Sequence, residues 1–130
     1  MAKILIVDDE SEIRKMLQRV LGRSGHELFE ASNGEEAMEQ LRRESHELVI
    51  TDIVMPEKEG LETIMQIRRD FPQVKIIAMS GGGRGSATHY LDVAQRMGAD
   101  RIFAKPFDRT DVINAVRELL GQDAIPVQHF

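Results

Sequence analysis

The chain has 130 residues, a net charge of -5, 42% hydrophobic and 30% charged residues, and no cysteine. Those values fit one globular domain that buries roughly two-thirds of its unfolded surface without staples. They exclude disulfides and thiolate metal sites, make a reducing cytoplasm the expected home, and argue against direct nucleic-acid binding, which calls for a basic face. No apolar run approaches the ~20 residues of a membrane span, and the N-terminus lacks a signal-peptide core.

Two hydrophobic periods alternate along the chain. ILIV (4–7) is a short apolar run of the kind a strand covered on both faces carries. Ile13, Met16, Leu17, Val20 and Leu21 then recur at helical spacing, and Gly25 follows as a stop. ELFEA (27–31) is a weaker strand, and Asn33-Gly34 opens a helix with Ala37, Met38 and Leu41 inward. LVIT (48–51) is a second buried-type strand ending at Asp52, and MPEKEG (55–60) is a turn by its proline and glycine. A helix runs from Leu61 to Phe71, where Pro72 ends it. VKIIAM (74–79) is a strand, GGGRG (81–85) a loop, and 86–97 a helix with Tyr90, Leu91, Ala94 and Met97 on one face. RIFA (101–104) is the last strand, and Asp108 caps a final helix with Val112, Ile113, Val116 and Leu120 inward. The expectation is an α/β domain, (βα) repeated five times around a doubly wound parallel sheet, over residues 1–121, with 122–130 as a flexible tail.

An open parallel sheet binds its ligand outside the carboxyl ends of the strands. The polar residues at those ends are Asp8 and Asp9, Asp52, Ser80 and Lys105, with Ser32 and Asn33 a less distinctive pair after the second strand. Three carboxylates gathered in one pocket call for a cation or a raised pKa. Hard oxygen donors suit Mg2+ (or Mn2+), and a lysine and a hydroxyl opposite them complete a site for phosphoryl transfer. Asp52 stands between the acidic pair and the Ser/Lys side, which makes it the best candidate for a carboxylate nucleophile.

The ordered set DD (8–9), D (52) with MP (55–56) and G (60), S (80) after an apolar strand, and KPF (105–107) resembles the receiver domain of two-component response regulators, in its chemotaxis-regulator-like single-domain form. The resemblance covers residues 3 to about 120 and implies a flavodoxin-like strand order, 2-1-3-4-5. It implies that Asp52 accepts a phosphoryl group from a sensor histidine kinase or a histidine phosphotransfer protein. Asp9, Asp52 and the backbone carbonyl of Val54 would ligate Mg2+, with Asp8 acting through a bound water. Lys105 would pair with the phosphoryl oxygens and Ser80 would donate to them, and the Lys105–Pro106 bond would be cis. A downstream protein, or a second copy, would read the face made by the fourth helix, fifth strand and fifth helix.

Three positions depart from that pattern. Ile102 stands where an aromatic switch residue is common, and Phe103 beside it faces the other way by strand alternation. Val54, two residues after Asp52, cannot position a hydrolytic water, which points to a long-lived phosphoryl group. GGGRG after Ser80 is a loop rich in conformational freedom, suited to ordering on phosphorylation.

Blander assignments cover the remainder. His26, His46, His89 and His129 show no ligand spacing and are expected on the surface; the helical methionines are core filler. Residues 35–47 read as a solvated helix face with i,i+4 pairs. GGGRG lacks the form of a nucleotide-binding loop. The alternative to a phosphorylation switch is a receiver-like module that binds partners without phosphorylation. A flavin protein fits poorly, because DDESE (8–12) would repel phosphate, and a haloacid-dehalogenase-type phosphatase would need D-x-D where this chain has D-D-E.

Overall fold

The computed structural model describes residues 2–53, 59–80 and 86–121, apart from the side chains of Glu59 and 86–91. Strands and helices alternate: β1 (Lys3–Val7), α1 (Ser11–Gly22), β2 (Glu27–Ala31), α2 (Gly34–Arg43), β3 (Leu48–Asp52), α3 (Glu59–Asp70), β4 (Lys75–Ser80), α4 (Ser86–Met97), β5 (Arg101–Ala104) and α5 (Arg109–Leu119). All strand pairs are parallel, in the order β2-β1-β3-β4-β5. The expected fold class and strand order are thus observed.

Strand alternation divides the core in two. Leu5, Val7, Val49, Ile76 and Ala78 face α2, α3 and α4, while Ile4, Ile6, Ile50, Ile77 and Met79 face α1 and α5. The central strands are apolar at nearly every position because both faces are covered. Each fully buried Leu or Ile contributes about 1.5–3 kcal/mol relative to exposure, so the sheet centre holds most of the stability. Ile102 packs on the α2/α3/α4 side and Phe103 on the α1/α5 side, as alternation requires.

Caps mark several boundaries. The Asn33 side chain accepts from the Glu36 amide while the Glu36 carboxylate accepts from the Ser32 amide and hydroxyl. Ser32 and Asn33, the weaker pair at the sheet edge, are therefore committed to starting α2. Asp108 caps α5 by accepting from the Thr110 amide. Of the acids in 35–47, Glu36 serves the cap of α2, while Glu44 pairs across the fold with the Lys3 ammonium at 2.8 Å.

The structure corrects four expectations. Ser80 is the last residue of β4, not the first after it. Glu59 and Gly60 belong to α3 and not to the preceding turn. Met65 is 49% exposed, so this methionine is not core filler. His26 and His46 are buried, at 8% and 5% exposure. His89 and His129 lie outside the described side chains.

Both corrected histidines close the end of the sheet away from Asp52. The His26 Nδ1 accepts from the Ala2 amide at 3.4 Å. The His46 Nδ1 lies 3.0 Å from the Glu44 carbonyl, so it carries the hydrogen, and the ring meets Phe29 edge-on at 5.0 Å. Burial is the main cause that pushes both imidazoles below their ordinary pKa. A depressed histidine contributes stability that is complete above about pH 6.5 and is lost as pH falls through the folded-state value. The urea midpoint is therefore expected to drop between pH 7.5 and 5.5, with a flatter profile in a His26→Gln/His46→Gln variant. Equal slopes in both proteins would refute the assignment.

Candidate functional site

The site lies at the carboxyl ends of β1, β3, β4 and β5. Order 2-1-3-4-5 makes the connections diverge on either side of β1 and β3, leaving a crevice between their ends. Asp8 extends β1 by one ladder bond, its amide donating to the Ala31 carbonyl at 3.1 Å. Asp52 ends β3, and the next amide, of Ile53, donates to Met79 at 2.8 Å. The Lys105 amide donates to the Ser80 carbonyl at 2.8 Å, tying the end of β5 to that of β4. Ladder bonds thus hold the backbone of all four positions.

Carboxylate oxygens of Asp8, Asp9 and Asp52 lie within 4.8 Å of one another. Asp8 and Asp52 are buried and Asp9 is exposed, so the cluster opens to solvent on one side. Lys105 Nζ stands 3.0 Å from Asp8 Oδ2, 3.5 Å from Asp52 Oδ2 and 4.0 Å from Glu10 Oε1. Burial pulls the Lys105 pKa down, but Asp52, Asp8 and Glu10 together outweigh it, and the net direction is upward. The ammonium therefore stays charged at neutral pH. The Ser80 side chain is fully buried, and its hydroxyl has no hydrogen-bond partner among the described residues. The Lys105–Pro106 bond is cis.

The side chains of Asp8, Asp9, Asp52 and Lys105 converge, and Ser80 stands at the same sheet edge through the bond from the Lys105 amide to its carbonyl. Val54 and the GGGRG loop lie outside the described residues. Ile102 takes its place in the core beside β4, where it pairs with Ala78. The donor set fits a hard divalent cation such as Mg2+: three carboxylates, two of them buried, with no imidazole or sulfur among them.

Gly60 has a packing role that explains its place in the motif. A Cβ there would come within 2.6 Å of the Ile53 carbonyl oxygen and 2.7 Å of its carbon. Only glycine lets the first turn of α3 sit on the backbone that follows Asp52. Gly60→Ala is expected to cost about 1–3 kcal/mol as overpacking. The strain falls on the backbone that adjoins Asp52, and a thermal melt of the variant checks the loss.

Sequence reasoning did not pick out Arg14, Gln18 and Glu30. Arg14 donates to the Asp8 backbone carbonyl at 2.6 Å and to Glu30 at 2.6 Å, and Gln18 donates to the other Glu30 oxygen at 2.6 Å. A charged residue on an amphipathic helix carries no local sign of such a contact.

Comparison with known proteins agrees with this geometry. Residues 4–117 match the family model for the response regulator receiver domain. The chain is 32% identical over 118 residues to sporulation initiation phosphotransferase F of Bacillus subtilis, spanning 91% of this chain and 93% of that protein. It is 35% identical to the transcriptional regulatory protein SrrA of Staphylococcus aureus, covering 91% of this chain but 47% of SrrA. Among solved structures, a response regulator receiver domain protein from Clostridium thermocellum superposes with a TM-score of 0.84 at 28% identity, covering 95% of this chain and 97% of that one. A CheY-like receiver domain protein from Methanospirillum hungatei gives 0.82 at 27% identity, over 95% of this chain and 97% of that one. On sequence and fold alike, this chain belongs to the receiver domains of response regulators, the signalling domains phosphorylated on aspartate in two-component systems.

Proposed function

We propose that Asp52 is the phosphoacceptor and that phosphorylation requires a divalent cation, Mg2+ or Mn2+, held by Asp9, Asp52 and the Val54 carbonyl, with Asp8 acting through water. The observation that carries this reading is the convergence of a buried Asp52, the paired acids at the end of β1 and a charged Lys105 within 3.5 Å of the Asp52 carboxylate. Phosphoryl transfer is catalysed mainly by positioning and charge neutralisation, and this crevice offers both.

An Asp52 carboxylate oxygen attacks phosphorus and forms the O–P bond. The N–P bond of the donor phosphohistidine breaks, and its electron pair stays on the imidazole nitrogen. The cation supplies charge neutralisation to the phosphoryl oxygens. Lys105, already protonated, pairs with the same oxygens and leaves its bond to Asp8 to do so. The Ser80 hydroxyl donates to the phosphoryl group, which satisfies a buried polar atom. That gain exists only in the phosphorylated state, so it biases the conformational equilibrium.

The donor is a histidine kinase or a histidine phosphotransfer protein. The Bacillus subtilis relative, matched over 93% of its length, is named a phosphotransferase, which favours a relay role; residues 122–130, expected as a tail, lie outside the described residues. The target, or a second copy of the chain, docks on the α4–β5–α5 face. The domain acts as a signalling acceptor and not as an enzyme with turnover, in the cytoplasm, and without direct contact to nucleic acid or membrane; no helix among the described residues is long and apolar enough to cross a membrane. Ile102 favours a second reading, a module that binds partners without phosphorylation, because an aromatic swing is unavailable at that position. Intact mass after incubation with acetyl phosphate separates the two. One added phosphoryl group, abolished by a chelator, is expected; no gain with either acetyl phosphate or a phosphorylated histidine phosphotransfer protein would favour the second reading.

A further inference from the structure

The cation site described above needs the Asp8–Asp9–Glu10 turn to hold one shape. Its internal ties are few: the Glu10 amide donates to Asp8 Oδ1 at 2.9 Å. Glu10, the residue before α1, makes no side-chain cap to that helix. The Asp8 carbonyl cannot continue the sheet, because β1 ends one residue earlier. Arg14 supplies what is missing. Its guanidinium reaches back from α1 and donates to the Asp8 carbonyl at 2.6 Å. That bond fixes the plane of the peptide joining Asp8 to Asp9, and therefore the direction in which Asp9 leaves the sheet edge.

A lone guanidinium beside three carboxylates would compete with a metal for the same field. Glu30 offsets it: one carboxylate oxygen takes Arg14 Nε, and the other takes the Gln18 amide, one turn along α1. Arg14 is largely covered, with 17% of its side chain exposed. The planar fork thus joins the turn, α1 and β2 while adding little net charge to the crevice.

From this geometry we infer that Arg14, oriented by Glu30, is a positioning residue for the divalent cation site: it sets the Asp8–Asp9 peptide without touching cation or phosphoryl group. The inference rests on the metal reading of Asp8, Asp9 and Asp52. Residues that orient ligands typically govern affinity by about 10–100-fold.

The test is Mg2+ affinity by calorimetry on folded protein, with amide NMR shifts of residues 8–10 as a second readout. Arg14→Ala is expected to weaken Mg2+ binding about tenfold. Arg14→Lys keeps the charge but not the fork, and is expected to fall with Arg14→Ala. Arg68→Ala is the structural control. Arg68 donates to the Pro72, Val74 and Gly98 carbonyls and to Asp100, at the far end of the sheet. It should lower the melting temperature and leave Mg2+ affinity unchanged. Unchanged or tighter Mg2+ binding in Arg14→Ala would overturn the positioning role; tighter binding would mean that the charge of Arg14 matters and its geometry does not. An affinity loss in Arg68→Ala equal to that in Arg14→Ala would reduce the effect to general destabilisation, and overturn it too. If Arg14→Ala does not fold, Glu30→Gln decides the matter, with weaker Mg2+ binding expected and an unchanged affinity counting against. No Mg2+ binding by the parent chain would refute the metal reading itself, and this inference with it.

Discussion

Asp52→Asn is expected to abolish phosphoryl uptake while leaving the fold at least as stable as the parent. Asparagine has the same shape, so packing at this buried position is kept. It lacks the anionic oxygen that the proposed reaction uses as nucleophile, and no amide substitutes for it. The variant also removes one of three carboxylates whose oxygens lie within 4.8 Å of one another. Like charges so close repel, and relieving that repulsion stabilises the native state. The urea midpoint should therefore hold or rise as intact mass shows no phosphoryl gain. Mg2+ affinity should fall by about tenfold with the lost ligand, the scale of 1.4 kcal/mol. Phosphorylation that survives in the variant would move the acceptor elsewhere, with Asp9 the first alternative because its carboxylate is exposed. A fall in stability would mean that Asp52 is chiefly an ion-pair partner of Lys105.

Lys105→Ala is expected to split metal binding from phosphorylation. Lys105 Nζ lies 3.0 Å from Asp8 and 3.5 Å from Asp52, so the alanine variant takes a positive charge away from two buried carboxylates. Breaking a fully buried pair costs about 3–5 kcal/mol. The cost here is lower, because Asp9 opens the cluster to solvent. The more negative pocket should bind Mg2+ about tenfold more tightly, since a unit charge several ångströms away is worth more than 1 kcal/mol at an effective dielectric near 20. Saturating Mg2+ should then restore part of the lost melting temperature by linkage. Phosphorylation should nevertheless slow, because the ammonium that stands 3.5 Å from the Asp52 carboxylate is lost. Weaker Mg2+ binding in the variant would show that Lys105 shapes the pocket more than it competes for it.

These two residues also show how far a sequence carries. Asp52 and Lys105 lie far apart in the chain, yet each follows an apolar run, and in a parallel sheet every such run ends at the same edge. The place where these polar residues meet was therefore legible once alternation had given the fold class. Ile102 and Phe103 were assigned to opposite faces by the period of a strand alone, and they occupy opposite faces.

The misses have a common cause. His26 and His46 look like surface residues because a polar side chain in a helix-flanking segment is usually solvated. Tertiary packing buries them, with an amide, a carbonyl and the edge of Phe29 as partners. Arg14 looks like one charge among several on α1, and only the arrival of β2 beside β1 places Glu30 within its reach. Gly60 reads as a turn glycine until α3 is seen resting on the Ile53 backbone.

By itself, then, the sequence determined the order of elements, the face each strand residue takes and the set of acids, hydroxyl and lysine that meet at the sheet edge. Periodicity and chain topology are local or combinatorial properties, and a single chain displays them. Tertiary structure alone decided which polar groups are buried, which oxygen Arg14 holds, and how close Lys105 stands to Asp8 and Asp52. Those are distances between elements that neither period nor spacing encodes, and they are set by the packing of whole faces against one another.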